Sequence, residues 1–141
     1  MTRFGKLDFA MCDGITLHAT EKFNTYTIIW PGAATIMQIS QEIIDNLISR
    51  IRRVVEPEQV IIFGSAARGL MAPDSDIDVL VVIPKGIHRF HTCQAIHRQL
   101  SGFGLPVDVV VANQEILEKH KDNPGLIYWN ILKEGKTVYA A

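Results

Sequence analysis

Three short apolar runs constrain the fold of this chain more than any other feature of its sequence. They cover Gln59–Phe63, Ile77–Ile83 and Val107–Val111, and glycine or proline bounds each of them. Runs of this length between turn-forming residues are typical of buried strands. They are far shorter than the roughly 18 to 20 apolar residues that cross a bilayer. The sequence therefore predicts a sheet of buried strands and no membrane span.

Helical periodicity surrounds these strands. Apolar residues recur at spacings of three and four over residues 40–57 and again over 87–102, which predicts two amphipathic helices, the second with its apolar stripe facing the sheet. A last helix is predicted with Asn123 as its N-cap and Gly135 as its C′ residue, followed by a final strand over 137–139. This order indicates a small α/β or α+β domain whose sheet is covered by helices.

Residues 1–36 differ from the rest of the chain. They show no helical period, contain scattered glycines and include one β-rich stretch, Thr25–Trp30. We interpret residues 1–36 as an N-terminal extension that either adds a short strand or hairpin or is loosely attached. Residues 37–141 are interpreted as a complete domain.

Composition narrows the class of protein further. The chain of 141 residues is 48% hydrophobic and 21% charged, which is typical of a globular protein. Its net charge of -1 argues against a duplex nucleic-acid binder. Cys12 and Cys93 form no C-x-x-C unit, which excludes a zinc ribbon or a disulfide framework and favours a reducing compartment. Because no secretory signal is evident, we expect a cytoplasmic protein.

Three carboxylates fall on two of the predicted strands, two at the start of one strand and one within the other. Asp76 and Asp78 are two residues apart, so at the start of a strand both side chains point to one face. Asp108 interrupts an otherwise apolar strand, where a buried and unpaired carboxylate would cost several kcal/mol and therefore needs a partner. Mutual repulsion among three carboxylates is relieved by hard cations such as Mg²⁺, which prefer oxygen ligands. Two such ions, about 3.5 to 4 Å apart, support in-line phosphoryl displacement.

The loop after the first strand has the properties of a phosphate-binding loop. Gly64 and Gly69 allow a close backbone turn, and the backbone N–H groups and the Ser65 hydroxyl can hold phosphate oxygens. Arg68 adds a positive charge. The lysine and the serine or threonine of a P-loop do not follow Gly69, and no strand is followed by a dinucleotide-binding glycine signature.

Taken together, these residues resemble a known signature. Gly64-Ser65, ten further residues and then Asp76-x-Asp78 resemble the G-S-x10-D-x-D signature of the DNA polymerase β-like nucleotidyltransferase superfamily, and Asp108 matches its third carboxylate. The sequence around these residues and the small size of the chain are most similar to those of the minimal nucleotidyltransferases.

The resemblance implies a nucleotidyltransferase fold with a small mixed β-sheet flanked by helices. It also implies two Mg²⁺ ions, ATP as substrate, and transfer of a nucleoside monophosphate to an acceptor with release of pyrophosphate. The metal ligands that it implies are Asp76, Asp78 and Asp108, of which Asp108 also activates the acceptor hydroxyl. The triphosphate-binding residues that it implies are Gly64, Ser65 and Arg68.

The same resemblance suggests a partner. Many minimal nucleotidyltransferases are encoded beside a HEPN-domain protein, and some act as antitoxins by adenylylating a tyrosine of that toxin. We therefore expect this protein to be an antitoxin that transfers AMP. Both homo-oligomers and hetero-oligomers are compatible with this role. Two alternatives stay open: a non-catalytic module that neutralises its partner by forming a complex, and a small-molecule enzyme of the aminoglycoside-modifying kind.

Other chemically capable residues receive structural interpretations. His88, His91 and His97 could suggest zinc, but without further ligands a solvated helix face is the better interpretation. Tyr128 and Trp129 are expected in the core and at the rim of the last helix.

Overall fold

The computed structural model describes residues 39–72 and 74–141 in full, together with the backbone of three short strands nearer the start of the chain. These strands, β1 (Thr16–Thr20), β2 (Thr25–Ile29) and β3 (Ile36–Met37), form an antiparallel sheet in that order. The β-rich stretch predicted at Thr25–Trp30 overlaps β2, while Trp30 lies outside the described residues. The division at residue 36 stays a prediction.

The rest of the chain forms a second sheet with helices on both faces. Its elements are α1 (Gln41–Arg52), β4 (Gln59–Phe63), α2 (Gly64–Ala67), β5 (Ile77–Ile83), α3 (Arg89–Gln99), β6 (Val107–Asn113), α4 (Gln114–His120), α5 (Ile127–Glu134) and β7 (Lys136–Ala140). The strand order is β6-β5-β4-β7, with β5 parallel to β6 and the other pairs antiparallel. The predicted α+β fold with a small mixed sheet is confirmed. In the described part of the chain, no helix is long and apolar enough to cross a membrane.

Strand β5 is the centre of this sheet, and its sequence explains why. Six of its seven residues are buried, and the exception is Asp78. Val79, Val81 and Ile83 pack in the core that includes residues of α1 and α3. Leu80 and Val82 pack in the opposite core, which includes residues of α4 and α5. An uninterrupted aliphatic run is what a strand covered on both faces requires.

The last helix begins later than predicted. Asn123 is not its N-cap, because the Asn123 side chain accepts a hydrogen bond from the Gly125 N–H at 3.0 Å and closes a turn instead. The helix starts at Ile127 with Leu126 as N-cap. Gly135 ends the helix in an extended conformation, not a left-handed one, with φ −70° and ψ 150°. Glycine is needed there because a Cβ would meet the Ile131 carbonyl oxygen and the Ile61 side chain.

Two features of the helices were not predicted. Helix α4 follows β6 directly, and its N-cap Asn113 accepts a hydrogen bond from the Ile116 N–H at 3.0 Å. The stripe predicted to bury α3 against the sheet is only partly buried: Ile96 is fully buried, but Ile87 and Phe90 are 39% and 62% exposed. Both exposed side chains lie at the start of α3, after the chain has left the end of β5.

The packing of α5 yields a direct stability prediction. Ile131 is 1% exposed, whereas its neighbour Leu132 is 44% exposed. We expect Ile131→Ala to lower the free energy of unfolding by about 2 to 5 kcal/mol, because it leaves a cavity in the core. Leu132→Ala should change it by only about 0.5 kcal/mol. Urea denaturation of the two variants measures both values, and equal losses would contradict this assignment of the buried helix face.

Candidate active site

Hydrogen bonds of Ser75 and Ile77 hold the backbone at the start of β5. Ser75 forms two of them with Ala72: its Oγ accepts from the Ala72 N–H, and its own N–H donates to the Ala72 carbonyl, both at 3.0 Å. The Ile77 N–H donates to the Pro106 carbonyl at 2.9 Å, which joins the start of β5 to the approach to β6. Asp76 lies immediately before β5 and Asp78 is its second residue, so these bonds hold the backbone that carries both carboxylates.

The parallel register brings the third carboxylate to this pair. Asp78 lies directly opposite Asp108 in the pairing of β5 with β6. Asp108 is nevertheless exposed, so the expectation that it is buried in an apolar strand is wrong. Strand β6 is the edge of its sheet, and Asp108 is the second residue of that strand. Water therefore reaches Asp108, while Asp78 on the neighbouring strand is half-buried.

Gly64 brings the predicted phosphate loop against Asp78. Phe63 pairs with Asp78 across β4 and β5, and the chain turns at Gly64 with φ +68°. A Cβ at this position would lie 2.5 Å from Asp78 Oδ2. Both the left-handed backbone and the close approach require glycine. The loop and the carboxylates therefore form one continuous site.

Gly64 and the three residues after it form the single turn α2. Ser65 is half-buried in this turn, and its carbonyl accepts a hydrogen bond from the Leu70 N–H at 2.9 Å. The N-cap residue, Phe63, makes no side-chain hydrogen bond to the amides of the first turn. The first N–H groups of a helix have no acceptor within the helix, so these amides can donate to a ligand.

Arg68 lies at the other end of this turn and has a partner that the sequence did not reveal. Its guanidinium is 3.8 Å from a carboxylate oxygen of Glu134 at the end of α5, and both side chains are more than half exposed. The structure gives Arg68 no contact with the three aspartates. Glu134 is 66 positions away along the chain, and no local pattern links it to Arg68.

The electrostatics of the site follow from this geometry. Burial raises the pKa of the Asp78 carboxyl above its usual value, and the negative charges of Asp108 and Asp76 raise it further. Burial and the charge of Asp108 also raise the pKa of the Cys93 thiol, which lies beneath β6 and donates to the Val109 carbonyl at 3.6 Å. The site is therefore an excess of negative charge that favours a cation.

The donor chemistry fits a hard cation, although the side chains are not arranged around one. Three aspartates offer oxygen ligands of the kind that Mg²⁺ prefers. Among residues 39–72 and 74–141, no three His, Cys, Asp or Glu side chains lie close enough together to hold one metal ion. His88, the N-cap of α3, and His91 stack on each other, with ring centroids 4.2 Å apart.

One surface groove of the described residues lies away from these carboxylates. It has a volume of about 460 Å³ and runs between α1 and β7. Its polar groups bind one another: Glu56 accepts hydrogen bonds from the Tyr139 hydroxyl at 2.8 Å and from Arg52 Nε at 2.9 Å. It contains none of the predicted site residues.

Comparison with known proteins decides the family. The family model described as a nucleotidyltransferase domain matches residues 44–136, more than half of the chain. The chain belongs to this nucleotidyltransferase family. The match spans the loop at Gly64 and the carboxylates Asp76, Asp78 and Asp108, and it makes the protein a nucleotidyltransferase enzyme.

The individual proteins and structures that are similar to this chain share a low sequence identity with it. The nucleotidyltransferase is 28% identical over 103 residues to the "Putative protein adenylyltransferase" of Methanocaldococcus jannaschii, covering 70% of this chain and 93% of the relative. A toxin-antitoxin crystal structure with AMP-PNP is 19% identical with a TM-score of 0.48, covering 69% of this chain and 73% of that one. A crystal structure of a mutant MntA-HpeT toxin-antitoxin is 16% identical with a TM-score of 0.46, covering 69% and 72%.

Gly64 offers a matched test of the site geometry. Gly64→Ala and Gly102→Ala both place alanine at a similar positive φ, +68° and +73°, but only at Gly64 would the new Cβ meet another residue. We expect each variant to lose about 1 to 2 kcal/mol of stability from the left-handed backbone. Gly64→Ala should also displace Asp78 and lower nucleotidyl transfer by about 10²-fold. Equal activity of the two variants would contradict the close approach.

The raised pKa of Asp78 predicts a pH-dependent stability. Because the folded state favours the protonated carboxyl, ionised Asp78 destabilises the fold at neutral pH, and this cost disappears as the pH falls through the raised pKa. In EDTA, we expect Asp78→Asn to be more stable than the wild type at neutral pH and equally stable below 3.8, the ordinary value for an aspartate. Exposed Asp74 supplies the control, since Asp74→Asn should have no effect. Urea denaturation of the wild type and the variants at both pH values measures these stabilities. A lower stability of Asp78→Asn than of the wild type at neutral pH would contradict the prediction.

Proposed function

We propose that this nucleotidyltransferase transfers AMP from ATP to a hydroxyl group in a Mg²⁺-dependent reaction. The observation that carries the proposal is the parallel register of β5 and β6, which places Asp78 opposite Asp108. The backbone at Gly64 packs against the carboxylate of Asp78 at the same place. The name of the archaeal relative, a protein adenylyltransferase, supports AMP as the transferred group. We assign the activity to residues 37–141 and place the protein in the cytoplasm.

The three aspartates are the proposed metal ligands. Asp76 and Asp78 would hold both ions, and Asp108 would complete the set. When bound, Mg²⁺ neutralises the carboxylates, draws negative charge from the phosphates and steadies the leaving oxygen. The raised pKa of Asp78 supports this assignment, because burial and then the charges of Asp108 and Asp76 disfavour its ionised form, which a cation would stabilise.

Asp108 is the proposed base. The acceptor hydroxyl forms a bond to the α-phosphorus of ATP, the bond from that phosphorus to the oxygen bridging to the β-phosphate breaks, and pyrophosphate leaves. The hydroxyl proton moves to a carboxylate oxygen of Asp108. Its exposure at the edge of the sheet supports this role, because an incoming acceptor can reach it without displacing another strand.

The turn at α2 is the proposed triphosphate site. Gly64 and Ser65 offer backbone N–H groups, and Ser65 adds its hydroxyl. Arg68 would pair with a phosphate oxygen once it leaves Glu134. That exchange costs little, since an exposed ion pair contributes about 0 to 1 kcal/mol.

The proposed acceptor is a tyrosine of a HEPN-domain toxin, which would make this protein an antitoxin. The sequence resemblance to minimal nucleotidyltransferases supports this partner. The open position of Asp108 also suits the side chain of a protein acceptor better than a small molecule that needs an enclosing pocket.

The test is to incubate the purified protein with Mg²⁺, labelled ATP and the protein encoded by the neighbouring gene, and to measure the intact mass of both proteins. We expect added AMP units on the neighbour. Asp76→Asn and Asp78→Asn should each lower the transfer rate by at least about 10²-fold, because each removes a charged ligand that would hold the Mg²⁺ ions. Asp74→Asn makes the same chemical change two residues from Asp76 and should retain full activity.

The outcomes separate the alternatives. A wild-type transfer rate in Asp76→Asn would rule out the proposed site. Absence of any mass change together with a stable complex would favour a non-catalytic binding module. That alternative also predicts that Asp108→Ala neutralises the partner without ATP.

A further inference from the structure

A long part of the sequence carries no negative charge. Between Asp78 and Asp108 there is no aspartate or glutamate, although the whole chain has a net charge of -1. The charged residues of this stretch are the cations Lys85, Arg89 and Arg98, and it also holds three of the five histidines. Helix α3 lies entirely within this stretch, so the helix has no acidic side chain of its own.

Two apolar side chains are exposed at the start of α3. Phe90 is 62% exposed, more than any other large apolar side chain of the described residues, and Ile87 is 39% exposed. Fully burying a side chain of this kind contributes about 1.5 to 3 kcal/mol. Residues farther along the same helix, such as Ile96, are packed in the core. The exposed pair is therefore free to contact another molecule.

Two histidines and an arginine, His88, Arg89 and His91, are sequence neighbours of this pair. The rings of His88 and His91 stack, and His88 Nδ1 accepts a hydrogen bond from the His91 N–H at 3.4 Å, which orders the first turn of the helix. Within the described residues, Arg89 forms no ion pair or hydrogen bond. We define the α3 entry surface as the five consecutive residues Ile87, His88, Arg89, Phe90 and His91.

We infer that the α3 entry surface docks the acceptor protein of the proposed reaction, through an acidic surface on that protein with an apolar recess. The inference rests on the proposed function for the identity of the partner. An exposed aromatic side chain beside an unpaired arginine is typical of the centre of a protein interface. Arg89 has no acidic side chain on α3 to pair with, so its charge favours a partner of negative charge.

A single-stranded nucleic acid fits this surface less well. Proteins that bind such strands align several cations along the backbone. At the α3 entry surface Arg89 is the one cation of fixed charge, and nearby Lys85 is already paired with Glu115 at 3.2 Å.

The α3 entry surface lies far from the residues of the proposed reaction. Helix α3 leads from the end of β5 back to the start of β6, so its first turn lies at the opposite end of the sheet from Asp108. The seven residues of β5 span about 20 Å. An acceptor that touches both places must be of protein size. Changes at the surface should therefore alter acceptor binding and leave the reacting groups intact.

The experiment compares charge changes inside and outside the surface. Phe90→Asp and Arg89→Glu should each raise the KM and the Kd for the neighbouring-gene protein by at least about 10-fold, with kcat and the KM for ATP unchanged. The matched controls are Leu132→Asp on α5 and Arg53→Glu at the C-cap of α1, both exposed positions, and they should leave all four values unchanged. Thermal melts check folding, and Phe90→Ala provides a variant without an added charge.

Different results would contradict the docking inference and the proposed function. Normal AMP transfer with an unchanged KM in both surface variants would overturn the docking inference and leave the proposed function standing. Loss of the complex in these variants without any AMP transfer would support docking and contradict the proposed function. If the wild type does not bind the neighbouring-gene protein, or a single-stranded RNA oligonucleotide displaces that protein from the surface, the docking inference is wrong.

Discussion

The parallel pairing of β5 with β6 is the constraint on which the rest of the structure depends. The two strands pair in register over all seven residues of each, from Ile77 opposite Val107 to Ile83 opposite Asn113. The buried aliphatic side chains of β5 hold this register, because a shift of one residue would turn every side chain to the other face of the sheet. The same register determines which carboxylates become neighbours. The core therefore positions the site.

This arrangement places a repulsive cluster on a strongly stabilised strand. The negative charges of Asp108 and Asp76 act on a partly buried Asp78, and none of these carboxylates forms an ion pair among the described residues. Burial of the six other residues of β5 provides the stability that tolerates such a cost. The proposed role of the three carboxylates as Mg²⁺ ligands would account for their presence at this position.

The two ends of the sheet have different chemical characters. At one end, Gly64 and the carboxylates form an acidic site that opens at the edge strand. At the other end, the start of α3 is basic and apolar, with Phe90 exposed to solvent. The crossover from β5 to β6 through α3 produces this separation, because a helix that connects parallel strands must return along the full length of the sheet.

The sequence by itself determined the strands β4 and β5, the first helix and the two-residue spacing of Asp76 and Asp78, because these depend on local periodicity and on the two-residue repeat of a strand. The approach of Gly64 to Asp78 comes instead from the pairing of β4 with β5. Only the tertiary structure decided that Asp108 lies on an exposed edge strand, that Arg68 contacts Glu134, and that Phe90 faces solvent. It also decided that Asn123 closes a turn before the last helix. Exposure and long-range contacts depend on the order in which strands pair and on how far each helix extends beyond the sheet, and local sequence patterns carry neither quantity.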